Sequence, residues 1–152
     1  MWRAFCLVKL KRYPEAIETY KFVLELRPDK AETYREMGAC YTALQDHAGA
    51  IDAYEREVQL RTAEGLDFPL HETERDELSE SFQALGKACI RNNQLQQARW
   101  AGEQGVRLSP NSAEAHAALA EVCERLGDDQ QARREYERAA ELGSKETVRN
   151  EA

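Results

Sequence analysis

Proline and glycine are scarce in this sequence, and long apolar runs are absent. Its 152 residues include only 4 prolines and 8 glycines, while good helix formers such as Ala, Glu, Leu and Arg are abundant. No run of alternating Val, Ile and Thr predicts a strand. No apolar stretch reaches the roughly 18 residues that a membrane-spanning helix needs. The composition therefore predicts an all-α protein without membrane insertion.

Clustered positive charge is also missing. The net charge is −7, whereas proteins that bind a nucleic-acid backbone need clustered Lys and Arg side chains. The opening residues MWRAFCLVKLKR carry Arg3 and Lys9 and are not followed by a small-residue cleavage site, so a secretory signal peptide is not expected. We therefore expect a cytoplasmic protein that has no nucleic-acid partner.

The sequence contains no recognisable motif for catalysis, cofactor binding or metal binding. The patterns GxGxxG, HExxH and GxSxG and the Walker lysine loop do not occur. His116 is expected to be a packing residue rather than a general base. No CxxC pair occurs, so reduced and buried thiols are expected at all four cysteines: Cys6, Cys40, Cys89 and Cys123. We therefore expect no enzyme activity, no catalytic residue, no cofactor and no metal.

An internal repeat is what the sequence has instead. The stretch YPEAIETYKFVLELRPDKAETYREMGACY (residues 13–41) has the pattern of two amphipathic helices joined by a turn. Ala16 and Ala50 are 34 residues apart, and so are Ala98 and Ala132, with a step of 48 residues from Ala50 to Ala98. One helical hairpin cannot bury its own apolar face, so self-similarity at this spacing predicts stacked helix pairs.

The repeat resembles the tetratricopeptide repeat, whose 34-residue pattern is W-x2-L-G-x2-Y, then A-x3-F, then P. The matching positions are Ala16, Tyr20 and Pro28 in the first unit, which lacks its opening turn; Tyr34, Met37, Gly38, Tyr41, Ala50, Tyr54 and Thr62 in the second; Phe82, Leu85, Gly86, Cys89, Ala98, Gly102 and Pro110 in the third; and His116, Leu119, Ala120, Cys123, Ala132, Tyr136 and Ser144 in the fourth. The resemblance implies one domain, an all-α, right-handed superhelical solenoid of antiparallel helix pairs. Its units are placed at about 1–30, 31–64, 79–112 and 113–146, with an insertion at 65–78.

This register predicts eight helices in four pairs: 2–11 with 14–27, 31–44 with 47–63, 71–91 with 94–108, and 113–126 with 128–142. Small residues such as Gly38 and Ala50 are expected where paired helices touch. Aromatic residues at Tyr20, Tyr54 and Tyr136 are expected to fill the space between neighbouring units.

Two departures from the pattern stand out. Gly102 and Gly105 leave a hole where larger residues are usual, and we expect Trp100 or the lengthened helix that begins near residue 71 to fill it. The insertion carries three apolar residues, which are expected either to cover local core or to form a lid over the binding groove: Leu66, Phe68 and Leu70.

In this family the first helices of the units line a concave groove that holds a peptide. The resemblance places partner-contacting positions at Met1, Phe5, Val8, Arg35, Ala39, Thr42, Gln83, Lys87, Ile90, Arg91, Ala117, Glu121 and Glu124. The implied groove is apolar at its N-terminal end, basic in the middle and acidic at its C-terminal end. One subclass grips a chaperone's C-terminal carboxylate with Lys and Asn side chains at these places. This sequence has no Asn there, which disfavours a chaperone-tail partner.

The predicted function is a non-catalytic scaffold or adaptor that binds a peptide or protein segment in its groove. Two alternatives stay open, namely a regulatory or substrate-recruiting domain of a larger enzyme and a self-assembling structural module. Stacked units expose an apolar face at an uncovered end. We therefore expect any homo-oligomer to form through the N-terminal end, where four apolar residues lie: Trp2, Phe5, Leu7 and Leu10.

Overall fold

The computed structural model describes residues 2–63 and 71–150, with side chains as far as Ser144. Within those residues it contains eight α-helices and no strand. In chain order the helices are α1 Trp2–Lys9, α2 Tyr13–Leu26, α3 Ala31–Ala43, α4 His47–Arg61, α5 Glu72–Arg91, α6 Leu95–Leu108, α7 Ala113–Arg125 and α8 Asp129–Asn150. The prediction of an all-α fold made of helix pairs is confirmed.

Seven of the eight helices begin and end within two residues of the predicted bounds. The exception is α8, which was expected to end at 142 and instead runs to Asn150. No proline follows Leu142, and Gly143 keeps helical geometry, so nothing in this segment forces the backbone out of the helix. The polar tail was expected to begin a separate short helix, and it continues α8 instead.

The contacts divide the chain into two compact units, Met1–Pro69 and Leu70–Ala152. In the first unit α1 packs on α2 and α3 packs on α4, while α2 and α3 join the two pairs. In the second unit α5 packs on α6 and α7 packs on α8, while α7 also contacts both α5 and α6. Each unit is therefore two helical hairpins packed side by side.

The turn inside every hairpin is the same backbone motif. Its central residue has a positive φ in each case: Lys11 at 57°, Gln45 at 59°, Asn93 at 58° and Gly127 at 76°. In the second hairpin the Gln45 amide donates to the Thr42 carbonyl and the Asp46 amide donates to the Tyr41 carbonyl, both at 3.0 Å. Equivalent bonds recur in the other three turns, which is the Schellman pattern that ends a helix on a left-handed residue.

Small residues let the first unit's helices approach closely, as predicted. A Cβ on Gly38 would lie 2.8 Å from the Tyr54 ring, so α3 and α4 touch where this glycine has no side chain. Ala16 and Ala50 are fully buried, and Tyr20 and Tyr54 are also buried. Burial raises the pKa of the Cys40 thiol to about 11, because charge is disfavoured in an apolar interior.

The hole predicted at the two glycines of α6 is filled from two directions. Next to Gly105 lie the Ser79 backbone and hydroxyl of α5, both 3.7–3.8 Å from where a Cβ would be, as expected for the lengthened helix. Next to Gly102 lies Leu119 of α7, at 3.1 Å, which was not anticipated. Trp100 does not enter the hole. It packs edge-on against Phe82 with ring centroids 5.5 Å apart and stays 47% exposed.

Two side chains predicted to be buried are exposed. Cys6 lies on the side of α1 turned away from the buried Ala4 and Leu7. Tyr136 of α8 is 43% exposed, because no other described helix covers that side of α8. Its hydroxyl donates to Glu124 Oε2 at 3.1 Å instead. The buried positions of Cys40, Cys89 and Cys123 agree with the prediction.

Candidate functional site

In the second unit, the predicted groove positions lie along one side of α5 and α7, which we call the α5–α7 face. On α5, Lys87 and Arg91 are exposed, and neither forms an ion pair within the described residues. Gln83 is 9% exposed and Ile90 is 5% exposed, so these two belong to the floor beneath the surface. On α7 the face continues through three residues that are partly or fully exposed: Ala117, Glu121 and Glu124.

In the first unit, the predicted positions lie on α1 and α3. Phe5 is 51% exposed, and the Lys9 ammonium lies 5.3 Å from the centroid of its ring. Val8 packs against the buried core, and the Thr42 hydroxyl already donates to the Gly38 carbonyl at 2.9 Å. Two further positions remain accessible to a partner, Arg35 in part and Ala39 fully.

Four predicted positions cannot be placed. Met1 and the three apolar residues of the proposed lid, Leu66, Phe68 and Leu70, lie outside the described residues. The choice between a lid and a local core cover for the insertion therefore stays a sequence prediction.

A cavity of about 450 Å³ opens at the N-terminal end of the α5–α7 face. It lies between the first three turns of α5 and the segment that joins α6 to α7. We call it the acidic pocket and define it by the six residues Glu72, Asp76, Glu80, Gln83, Ser109 and Glu114. The Arg75 guanidinium also lines it and is the single basic group among its lining residues.

Hydrogen bonds fix the walls of the acidic pocket. The Ser109 hydroxyl donates to Asp76 Oδ1 at 2.7 Å, and so ties the α6–α7 connection to α5. The Ser79 hydroxyl donates to the Gly105 carbonyl at 2.9 Å, which ties α5 to α6. Gln83 Nε2 donates to that Ser79 hydroxyl at 3.4 Å. Both bonds that cross between elements join residues more than 25 positions apart in sequence.

His116 holds the other side of the α6–α7 connection. Its Nδ1 lies 2.6 Å from Glu135 Oε2 on α8, and its Nε2 lies 3.0 Å from the Pro110 carbonyl. The ring is 7% exposed, so the predicted buried position is correct. The prediction of simple packing was incomplete, because both ring nitrogens are hydrogen-bonded and the ring links three elements.

Sequence reasoning missed the acidic pocket, although a signal for it existed. Asp76, Glu80, Gln83 and Lys87 follow one another at steps of three or four residues, which places them on one side of a helix. Extending the predicted groove positions on α5 toward its N-terminus would have reached both carboxylates.

The described residues offer no group of three or more His, Cys, Asp or Glu side chains that could hold a metal ion. None of the described helices has the length and apolar character needed to cross a membrane. Burial raises the pKa of the Cys123 thiol as well as that of Cys40, so both are poor nucleophiles near neutral pH. The polar groups of the α5–α7 face are suited to binding through hydrogen bonds and charge.

The tetratricopeptide repeat family matches the sequence in two segments, residues 1–63 and residues 84–147. The Hsp70-Hsp90 organizing protein of Triticum aestivum is 37% identical over 65 residues, which are 42% of this chain. The match spans only 11% of that relative's length.

Two solved structures illustrate the similarity of the fold. MamA (41-end) from Desulfovibrio magneticus RS-1 has a TM-score of 0.75 at 22% identity, covering 93% of this chain and 72% of that one. The first TPR of Spaghetti (RPAP3), bound to the HSP90 peptide SRMEEVD, has a TM-score of 0.67 at 21% identity, covering 82% of this chain and 88% of that one. Likeness at these identities shows a shared fold.

Proposed function

Because the chain belongs to the tetratricopeptide repeat family, we propose that it is a non-catalytic interaction scaffold that binds a peptide or protein segment on the α5–α7 face. The observation that carries this proposal is the arrangement of that face. Two cations without ion-pair partners, Lys87 and Arg91, project from the same side of α5 whose first turns form the acidic pocket. A surface with separated charges of both signs suits a segment of complementary charge.

The similar fold that carries an HSP90 peptide supports a short peptide as the class of ligand. The absence of Asn at the groove positions argues against a chaperone tail as the natural partner of this chain. We propose instead a segment whose acidic residues lie beside Lys87 and Arg91. On this proposal the protein works in the cytoplasm, either alone or as the recruiting part of a longer protein.

The test is a selection of peptides from a displayed random 12-residue library against the wild-type protein. Recovered peptides are then titrated against Lys87→Glu with Arg91→Glu. We expect about tenfold weaker binding at low salt and a smaller loss at moderate salt, because exposed charges are screened over about 10 Å at 0.1 M. The melting temperature should hardly change, since exposed charges contribute little to stability.

Arg133→Glu with Arg134→Glu is the matched control, because it reverses two adjacent exposed cations on α8 away from this face. The peptide SRMEEVD is titrated in parallel to test the argument against a chaperone tail. Recovery of no peptide, or equal affinity of every recovered peptide for wild type and the Lys87/Arg91 variant, would contradict the proposed function of this face.

A further inference from the structure

We propose that the acidic pocket receives an arginine side chain of the bound segment, with the Gln83 amide oxygen as its innermost hydrogen-bond acceptor. This inference rests on the proposed function, and it adds the chemistry of one partner residue and its distance from the acidic residues. The pocket lies wholly within the second unit, on the side of α5 that carries Lys87 and Arg91.

The charge of the acidic pocket favours a cation. Four carboxylates line it, namely Glu72, Asp76, Glu80 and Glu114, against the one guanidinium of Arg75. Their number alone does not identify a ligand, because acidic residues near the first turns of helices also interact favourably with the helix dipole.

Gln83 supplies the independent observation. Its side chain is 91% buried and lines the cavity, and its Nε2 donates to Ser79 at 3.4 Å. Its amide oxygen accepts no hydrogen bond from any residue that the structure describes. A buried acceptor without a donor is unfavourable, so a donor entering the cavity would satisfy it.

The geometry favours arginine over a metal ion or a bare ammonium. The carboxylates do not converge as metal ligands would. A guanidinium presents five N–H donors in a planar fork, so it can donate to a neutral amide oxygen and to carboxylates at once. The cavity of about 450 Å³ holds a single long side chain and is too small for a folded segment.

The spacing along α5 predicts a sequence pattern in the partner. From Gln83 the helix rises about 6 Å to Lys87 and about 12 Å to Arg91, at 1.5 Å per residue. An extended peptide advances about 3.3 Å per residue. The partner's arginine should therefore lie about two to four residues from its acidic residues, in either chain direction.

The peptides recovered from the displayed library provide the first test. We expect arginine to be enriched two to four positions from Asp or Glu. Replacing that arginine with citrulline, which keeps the shape and removes the charge, should weaken binding to wild type about tenfold, as charge-assisted hydrogen bonds require.

Glu80→Gln with Gln83→Leu should reduce the difference between the arginine and citrulline peptides to less than about twofold. Glu137→Gln on α8 is the control and should leave the full difference. Circular dichroism and the melting temperature of each variant establish that it is folded. Glu80→Gln alone is measured as well, because it changes only an exposed carboxylate and should give a partial loss.

The outcomes separate the two proposals. Peptides that depend on Lys87 and Arg91 but show no arginine enrichment, or that bind equally with citrulline, overturn the pocket and leave the proposed function standing. An arginine preference that survives Glu80→Gln with Gln83→Leu also overturns the pocket. If no recovered peptide depends on Lys87 and Arg91, the proposed function itself fails.

Discussion

Single buried side chains decide how this protein responds to pH. Tyr20 is 3% exposed, and burial raises the pKa of its hydroxyl to about 12. The same cause raises the pKa of the Cys40 thiol to about 11. Both groups are neutral when protonated, so the folded state resists their ionisation more than the unfolded chain does. Their contribution to stability is complete below the unfolded pKa values and is lost as the pH rises through the folded ones.

We expect the free energy of unfolding to be constant with respect to these two groups up to about pH 8 and to fall between about pH 9 and 12. At pH 11, ionisation of Tyr20 in the unfolded chain should cost about 1 kcal/mol of stability. Urea unfolding of wild type and Tyr20→Phe at pH 8 and pH 11 measures this difference. Identical losses of stability in the two proteins would show that Tyr20 does not contribute to the alkaline destabilisation.

At the scale of the helix, each hairpin depends on a close approach of its two members. The turn motif is made by backbone hydrogen bonds, and residues as different as Lys11, Gln45, Asn93 and Gly127 occupy its left-handed position. The crossing is more demanding of residue type, as Gly38 against the Tyr54 ring shows. Side-chain size at the crossing therefore constrains the hairpin more than residue type at the turn does.

Gly38→Ala should lower the free energy of unfolding by about 1–3 kcal/mol, because the new methyl group would overlap a buried ring that has little room to move. Gly143→Ala is the matched control. It also lies in a helix, but nothing is within 4 Å of where its Cβ would be. That variant should gain up to about 1 kcal/mol from helix propensity. Thermal and urea unfolding of both variants check the prediction, and a loss at Gly143 that equals the loss at Gly38 would contradict it.

The sequence was sufficient for the hairpins because their determinants are local and periodic. Small residues at 34-residue steps and breaks near residues 11, 45, 93 and 127 predicted the helix bounds and the turns. The contents of the hole at Gly102 depended on Leu119 of another hairpin. The acidic pocket depended on Asp76 meeting Ser109, 33 residues later. Contacts of that kind follow from how hairpins pack on one another, and a repeat pattern does not specify them.

At the scale of the molecule, large exposed apolar side chains gather on the first hairpin. Trp2 is 83% exposed and packs edge-on against Phe5, with ring centroids 6.4 Å apart. Three others lie nearby on the same hairpin, namely Leu10, Phe22 and Leu26. Exposed apolar groups of this size are typical of surfaces that meet another protein or another repeat unit.

We expect any self-association of the protein to depend on Trp2 and Phe5. Trp2→Glu with Phe5→Glu should shift the sedimentation coefficient toward the monomer value at concentrations where wild type associates, because two charges replace apolar contact area. Phe22→Glu with Leu26→Glu, on α2, is the control for exposed apolar residues elsewhere on the same hairpin. Association that is unaffected by the α1 variant, or lost only in the α2 control, would place the contact elsewhere.

The length of α5 has a consequence for how such a protein can acquire new specificity. The helix has 20 residues where α3 and α7 have 13, and three pocket residues, Glu72, Asp76 and Glu80, lie on its first turns. A repeat array is tightly constrained in composition, since changes at its crossings disturb packing. An inserted segment that extends one helix escapes this constraint and supplies new recognition chemistry while leaving the 34-residue register intact. Protein engineers could use the same route, by lengthening the first helix of a chosen unit and varying only the added turns.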